Sequence, residues 1–100
     1  YTTLDKDGQQ ASDTFPANGP IYVQFTLDSA PEDTAIRGVM VAIDGEGLDP
    51  YTYITEANGN LGTGPGTFTF SNESPWAVGN YVVYTYLNGE LANRVEFKVQ

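Results

Sequence analysis

The chain of 100 residues is long enough for one domain, and with 40% hydrophobic and 17% charged residues it is not a disordered polyelectrolyte. Four Lys and Arg against 13 Asp and Glu give a net charge of −9, a field that repels phosphates, so no nucleic-acid partner is expected. The chain has no Cys and no His, which excludes disulfides, thiol nucleophiles, imidazole bases and ordinary zinc sites. No apolar run suffices for a transmembrane helix, so we expect residues 1–100 to form a single domain without membrane insertion.

Alternation of apolar and polar side chains predicts strands along most of the chain. The clearest patterns cover residues 21–27, 39–43, 67–71, 81–87 and 94–99. Weaker patterns at residues 2–5 and 51–56 predict two more strands. Residues 81–87 are almost continuously β-branched or aromatic, which is typical of a central strand that is buried on both faces.

Turn signals separate these strands and no window has the periodicity of a helix. Asn88-Gly89 predicts a tight hairpin, because a type I′ turn needs positive φ at both central positions. Residues 29–34 allow one short helical turn and nothing longer. About seven short strands with turns between them predict an all-β chain folded as an antiparallel β-sandwich.

The inward-facing positions of these strands predict the hydrophobic core. The expected core residues are Ile21, Val23, Phe25, Val39, Val41, Phe68, Phe70, Trp76, Tyr81, Val83, Val95 and Phe97. A charge at one of these positions, as in Val41→Asp, is expected to unfold the domain.

The C-terminal third resembles a family of known domains. Trp76, Gly79 and Tyr81 form a Trp-x-x-Gly-x-Tyr stretch before a strand, and the Asn88-Gly89 turn leads into a last strand at residues 95–99. This pattern is similar to immunoglobulin-like domains of prokaryotic surface or secreted proteins, and Phe15-Pro16, Ile21-Tyr22-Val23 and residues 30–34 extend the resemblance over about the whole chain. The resemblance implies an immunoglobulin-like sandwich and a spacer, adhesin or accessory role without a catalytic motif. It also implies a tyrosine corner, in which the Tyr81 hydroxyl bonds to nearby backbone.

One acidic segment is a candidate calcium site, and a second only begins a calcium-binding motif. Asp44, Glu46 and Asp49 lie in a glycine-containing loop, and flexible oxygen ligands suit weak Ca²⁺ binding. Asp5 and Asp7 begin an Asp-x-Asp-Gly motif, but the glutamate that would complete a calcium loop is missing. The alternative for each segment is a solvated acidic turn.

Surface tyrosines are the second candidate site. Tyr51 and Tyr53 could stack against sugar rings, and neighbouring carboxylates and amides could form hydrogen bonds with the sugar hydroxyls, as in a carbohydrate-binding module. The alternative is cross-strand packing of tyrosines. If residues 51–56 form an edge strand, they could instead mediate a weak homodimer or another protein contact.

The expected function is therefore non-enzymatic and needs no cofactor. Serines have no His to activate them, and the acidic residues lie in turns or on polar strand faces, where nothing raises a pKa for proton transfer. We expect a structural or protein-interaction module, as a monomer or weak homodimer, that binds an unknown protein or the rest of a parent chain; the alternative is a carbohydrate-binding module. Composition and the start at Tyr1 without Met favour a piece of an extracytoplasmic prokaryotic protein, where the triplet Asn72-Glu73-Ser74 is not expected to be glycosylated.

Overall fold

The computed structural model describes residues 1–4, 7–71 and 74–100. Asp5 of the Asp-x-Asp-Gly motif, and Asn72 and Glu73 of the glycosylation triplet, lie outside the described residues. The described part of the chain is all-β and contains eight strands and no helix. The strands are β1 (Thr2–Thr3), β2 (Thr14–Phe15), β3 (Ile21–Leu27), β4 (Thr34–Gly45), β5 (Thr52–Leu61), β6 (Gly64–Phe70), β7 (Gly79–Leu87) and β8 (Glu90–Val99).

The strands form two sheets. A three-stranded sheet has the order β1-β3-β6, and a five-stranded sheet has the order β2-β8-β7-β4-β5. All neighbours pair antiparallel except β2 and β8, which run parallel. The two-residue strands β1 and β2 follow one another in chain order but lie in different sheets. The sequence predicted about seven strands and did not predict the two-residue strand β2.

The turn between β7 and β8 confirms the predicted hairpin. Leu87 pairs with Glu90, so Asn88 and Gly89 are the two turn residues. Their φ angles are 49° and 84°, both in the left-handed region that a type I′ turn requires. Asn88 also donates its N–H to the Ala35 carbonyl at 2.8 Å and accepts the Ala35 N–H through Oδ1 at 3.0 Å. The hairpin is thereby fixed against the first residues of β4.

One hydrophobic core lies between the two sheets. Its buried members are Phe15, Ile21, Val23, Met40, Ala42, Phe68, Phe70, Trp76, Tyr81, Val83, Phe97 and Val99, with Phe25 and Val95 partly buried against them. Tyr81 stacks on Phe97 with ring centroids 5.4 Å apart, and Phe25 lies 4.8 Å from Phe68. Burial of these apolar side chains is the main favourable contribution to folding in a chain without a disulfide.

In β4, the predicted core residue Val39 is buried, but the prediction is wrong for Val41, and Met40 and Ala42 join the core cluster instead. Met40 and Ala42, both 0% exposed, face the core, and strand alternation therefore turns Val39 and Val41 to the opposite face. Val41 is only half-buried there, opposite Val82 of β7. Val39 is buried, at 9% exposure, although it lies outside the core cluster. The prediction failed because residues 38–43 are apolar at every position, so alternation could not show which face is inside.

The segment before β7 is tied down by Trp76 and Tyr81. The Tyr81 hydroxyl donates to the Ala77 carbonyl at 2.5 Å, which confirms the predicted bond to nearby backbone. Trp76 donates its indole N–H to Gly19 and its backbone N–H to Ala17, both at 2.9 Å. The Tyr81 side chain is 1% exposed, and burial raises the pKa of its hydroxyl.

Candidate functional site

The five-stranded sheet carries a group of polar side chains on its outer face, which is the face turned away from the core. Arg37 of β4 lies between Asn58 of β5 and Tyr86 of β7 in the sheet register, and directly opposed residues share a face. Tyr53 and Glu56 of β5 complete the group. We call Arg37, Tyr53, Glu56, Asn58 and Tyr86 the polar network. It brings together side chains from three strands.

The carboxylate of Glu56 is the centre of the polar network. Its Oε2 accepts hydrogen bonds from Arg37 Nε and Asn58 Nδ2, both at 2.9 Å. Its Oε1 accepts hydrogen bonds from Arg37 Nη2 and the Tyr53 hydroxyl, both at 3.1 Å. The Arg37 guanidinium also lies 5.7 Å from the centre of the Tyr86 ring, a cation–π distance. Each side chain is therefore held by at least one of the others.

These contacts fix the charges of the polar network. The hydrogen bonds from Arg37, Asn58 and Tyr53 stabilise the ionised form of Glu56 and lower its pKa to about 2. The same bond and the charge of Glu56 raise the pKa of Arg37. Partial loss of water contact and the bond to Glu56 raise the pKa of Tyr53. Arg37 and Glu56 therefore stay oppositely charged at every physiological pH.

An open cleft adjoins the polar network at one end of the outer face. Its volume is about 620 Å³, within the range of small-ligand sites. It is lined by Ala35, Ile36, Arg37, Asn58, Gly59, Asn60, Tyr86 and Gly89. We call it the outer cleft. Its walls come from β4, β5 and the hairpin between β7 and β8, so the hydrogen bonds of Asn88 to Ala35 fix its shape.

The two predicted tyrosines have different surroundings. Tyr53 is 55% exposed and belongs to the polar network through its bond to Glu56. Tyr51 is 66% exposed and lies in the turn before β5 with a φ of 57°. Its backbone N–H donates to the Ile43 carbonyl at 3.3 Å. The structure therefore joins Tyr53, but not Tyr51, to the other polar side chains of the outer face.

The three predicted calcium ligands are not brought together. Within residues 1–4, 7–71 and 74–100, no three acidic side chains lie close enough to hold a metal ion. The Asp44 carboxylate instead accepts bonds from the backbone and side-chain nitrogens of Asn80 at 2.8 to 3.0 Å, which lowers its pKa. Glu46 donates its backbone N–H to the Val78 carbonyl, and the backbone carbonyl of Asp49 accepts a hydrogen bond from the Thr52 hydroxyl. Calcium binding by this loop stays a prediction.

Sequence reasoning missed most of the polar network. Arg37, Glu56, Asn58 and Tyr86 are separated by up to 49 residues and carry no motif, and only pairing of β4 with β5 and β7 makes them neighbours. The weak strand prediction for residues 51–56 is confirmed from Thr52 onward, and this strand, β5, lies at the edge of its sheet. A protein contact through that edge stays a prediction.

Comparison with known proteins gives a fold relationship only. No family model matches the chain, and no curated protein matches it. Among solved structures, the chain is similar to the Pseudomonas fluorescens alkylpurine DNA glycosylase AlkC, bound to DNA containing an abasic site analogue, with a TM-score of 0.56 and 16% identity. The match covers 88% of this chain and spans 28% of the length of that protein. No helix in the described part of the chain is long and apolar enough to cross a membrane.

Proposed function

We propose that the chain is an immunoglobulin-like β-sandwich domain. The strand order supports this, because β3-β6 and β8-β7-β4 correspond to the B-E and G-F-C neighbours of immunoglobulin domains, with β5 as an added C′ strand. The hydroxyl of Tyr81, at the start of β7, bonds back to Ala77 as a tyrosine corner does. Amide-proton contacts between Thr14 and Lys98 in solution would test the parallel pairing of β2 with β8.

The proposed role of the domain is a non-enzymatic interaction module that binds its ligand on the outer face. The observation that carries this proposal is the Glu56 carboxylate with four hydrogen-bond donors on an exposed sheet face. An ion pair at a sheet surface contributes only modestly to stability even when it is bidentate, and its fixed geometry also suits ligand binding. Side chains that are held in place before a ligand arrives lose less entropy on binding, which is the advantage of a preorganised site.

The electrostatics support binding over acid–base catalysis. A carboxylic acid that donates protons near neutral pH needs a raised pKa. The pKa values of Glu56 and Asp44 are shifted in the opposite direction, each by hydrogen bonds to the ionised form. Both carboxylates therefore act as fixed hydrogen-bond acceptors.

Fragment mapping by NMR tests whether the outer face binds ligands. A library of uncharged fragments is added to the 15N-labelled chain, because fragments concentrate at true ligand sites. We expect the amide shifts to concentrate at Arg37, Asn58, Asn60 and Tyr86 and to weaken in Arg37→Ala. Shifts concentrated elsewhere, or scattered over the surface, would contradict the proposal.

Arg94→Ala is the matched control for that experiment. Arg94 also lies on the five-stranded sheet and pairs with Glu96 at 3.0 Å, but this pair is more exposed and lies outside the outer cleft. We expect its loss to leave the fragment shifts unchanged. Equal effects of the two arginine variants would show that any lost surface charge alters the result.

Location and oligomeric state are part of the same proposal. We place the parent protein outside the cytoplasm because of the Cys-free, Thr- and Tyr-rich composition. A parent reading frame without a secretion signal would count against this. Sedimentation over a concentration series distinguishes a monomer from a weak homodimer through the edge strand β5.

A further inference from the structure

The outer cleft combines amide groups with an aromatic ring. Asn58 and Asn60 are two residues apart on β5, so their side chains lie on the same face about 6.6 Å apart. Both are exposed and line the cleft together with Tyr86 and Arg37. Amides donate and accept hydrogen bonds, whereas a tyrosine ring offers flat apolar area at low entropic cost.

The charges around the outer cleft favour an uncharged ligand. Among the described residues, Arg37 is the only charged one that lines it, and the bidentate pair with Glu56 neutralises that charge. The Glu56 oxygens are already satisfied by four donors, so they are poor sites for a cation. The net charge of −9 opposes anions such as phosphates.

Hydroxyl groups match the remaining hydrogen-bonding groups of the cleft. Glu56 uses Nε and Nη2 of Arg37, which leaves guanidinium N–H donors without a partner among the described residues. The Asn58 amide donates to Glu56 and keeps its carbonyl oxygen as an acceptor. A ligand that both donates and accepts at closely spaced positions, and that also has an apolar face for Tyr86, satisfies the whole set.

We propose that the outer cleft binds a neutral oligosaccharide. This inference rests on the proposed function, since it names the ligand class of the same site. The sugar hydroxyls bond Asn58, Asn60 and the free N–H groups of Arg37, and a C–H face of one sugar ring packs against Tyr86. The cleft volume of about 620 Å³ holds a few sugar rings.

An NMR titration with defined sugars tests the inference. Maltohexaose, cellohexaose, xylohexaose, mannohexaose and chitohexaose are added separately, up to about 10 mM, to the 15N-labelled chain, because such contacts give weak affinities. We expect at least one sugar to shift the backbone and side-chain amides of Asn58 and Asn60. No shift at these positions with any of the five sugars would overturn the inference.

Two asparagine variants make the titration specific. Asn60→Ala removes one amide and should lower affinity for the active sugar about five-fold, the effect of one hydrogen bond. Asn18→Ala is the matched control, because Asn18 is also exposed but lies in the loop that binds Trp76. We expect the affinity of Asn18→Ala for the active sugar to stay at the wild-type value. Equal affinity of wild type and Asn60→Ala would overturn the inference.

The result separates this inference from the function on which it rests. Fragments that concentrate at the outer cleft while all five sugars fail would remove the saccharide and keep the interaction module. Shifts along the whole of β5 that are insensitive to Asn60→Ala would indicate strand addition at the sheet edge, and would also overturn the saccharide inference. Fragments that concentrate elsewhere would remove both proposals.

Discussion

Glu56 and Tyr81 show two different uses of a polar side chain in this domain. The partly exposed Glu56 carboxylate is held by Arg37, Tyr53 and Asn58, which fix its position and contribute modestly to stability. The Tyr81 hydroxyl donates a hydrogen bond to the Ala77 carbonyl, and loss of a hydrogen bond in this buried setting lowers the free energy of unfolding. Substitutions at the two residues should therefore differ in what they affect.

Loss of the Tyr81 hydroxyl should destabilise the domain. We expect Tyr81→Phe to lower the free energy of unfolding by about 1–2 kcal/mol, because the Ala77 carbonyl loses its donor in a part-buried position. Urea denaturation measures this change. Tyr84→Phe is the control, since Tyr84 lies on the outer face opposite Val39 and is only half-buried. A loss as large in Tyr84→Phe would contradict a specific role for the Tyr81 hydroxyl.

Individual strands differ in how far their sequences determine their structure. The Asn88-Gly89 hairpin was predictable because its turn type depends on two adjacent residues. Which side of β4 faces the core was not predictable, because residues 38–43 are apolar on both sides of the strand. The outer side of β4 is also largely covered, since Val39 is 9% exposed and Val41 is half-buried. A central strand with two covered faces loses the alternation that marks its inner side.

A pair of threonine substitutions tests the facing of β4. We expect Met40→Thr to cost about 2–4 kcal/mol of unfolding free energy, because it places a hydroxyl and a cavity among fully buried side chains. Val41→Thr should cost less than about 1 kcal/mol, because this side chain is half-buried on the outer face. Thermal and urea denaturation measure both. A larger loss in Val41→Thr would restore the facing that the sequence predicted.

Close packing between the sheets depends on a position without a side chain. A Cβ at Gly38 of β4 would lie 2.9 Å from Cδ2 of Phe68 in β6, closer than carbon atoms approach. Phe68 is 3% exposed and belongs to the core, so it has little room to move. The bare backbone at Gly38 therefore lets the ring of the opposite sheet approach.

Addition of one methyl group tests this packing over the whole molecule. We expect Gly38→Ala to destabilise the domain by about 1–3 kcal/mol through overpacking against Phe68. Gly59→Ala is the control in the edge strand β5, where the nearest atom would be Ile36 Cδ1 at 3.8 Å. We expect that variant to be neutral or slightly stabilised. Calorimetric unfolding of both variants measures the difference, and equal stability of the two would contradict the packing.

The pairing of strands that are distant in sequence explains why the site was harder to predict than the fold. Strand periods and turns are local properties of the sequence, so the all-β class followed from them. The polar network joins residues 37, 53, 56, 58 and 86 through the register of β4 with both neighbours. A bulge shifts one of those registers between Met40 and Val41, and no sequence pattern marks it. Only Tyr53 of the network was therefore predicted as a site residue.

The ionisation of Glu56 decides whether the outer face carries an organised site. Its pKa is about 2 in the folded protein against an ordinary 4.5, so ionised Glu56 stabilises the fold above pH 4.5 and loses this effect as the pH falls through 2. The direct measurement is the 13C shift of the Glu56 carboxyl carbon during an acid titration of the folded domain. We expect the carboxyl to remain ionised at a pH of about 3.5, with a midpoint near 2. A midpoint near 4.5 would show that the network does not hold Glu56, and would contradict the preorganised binding site.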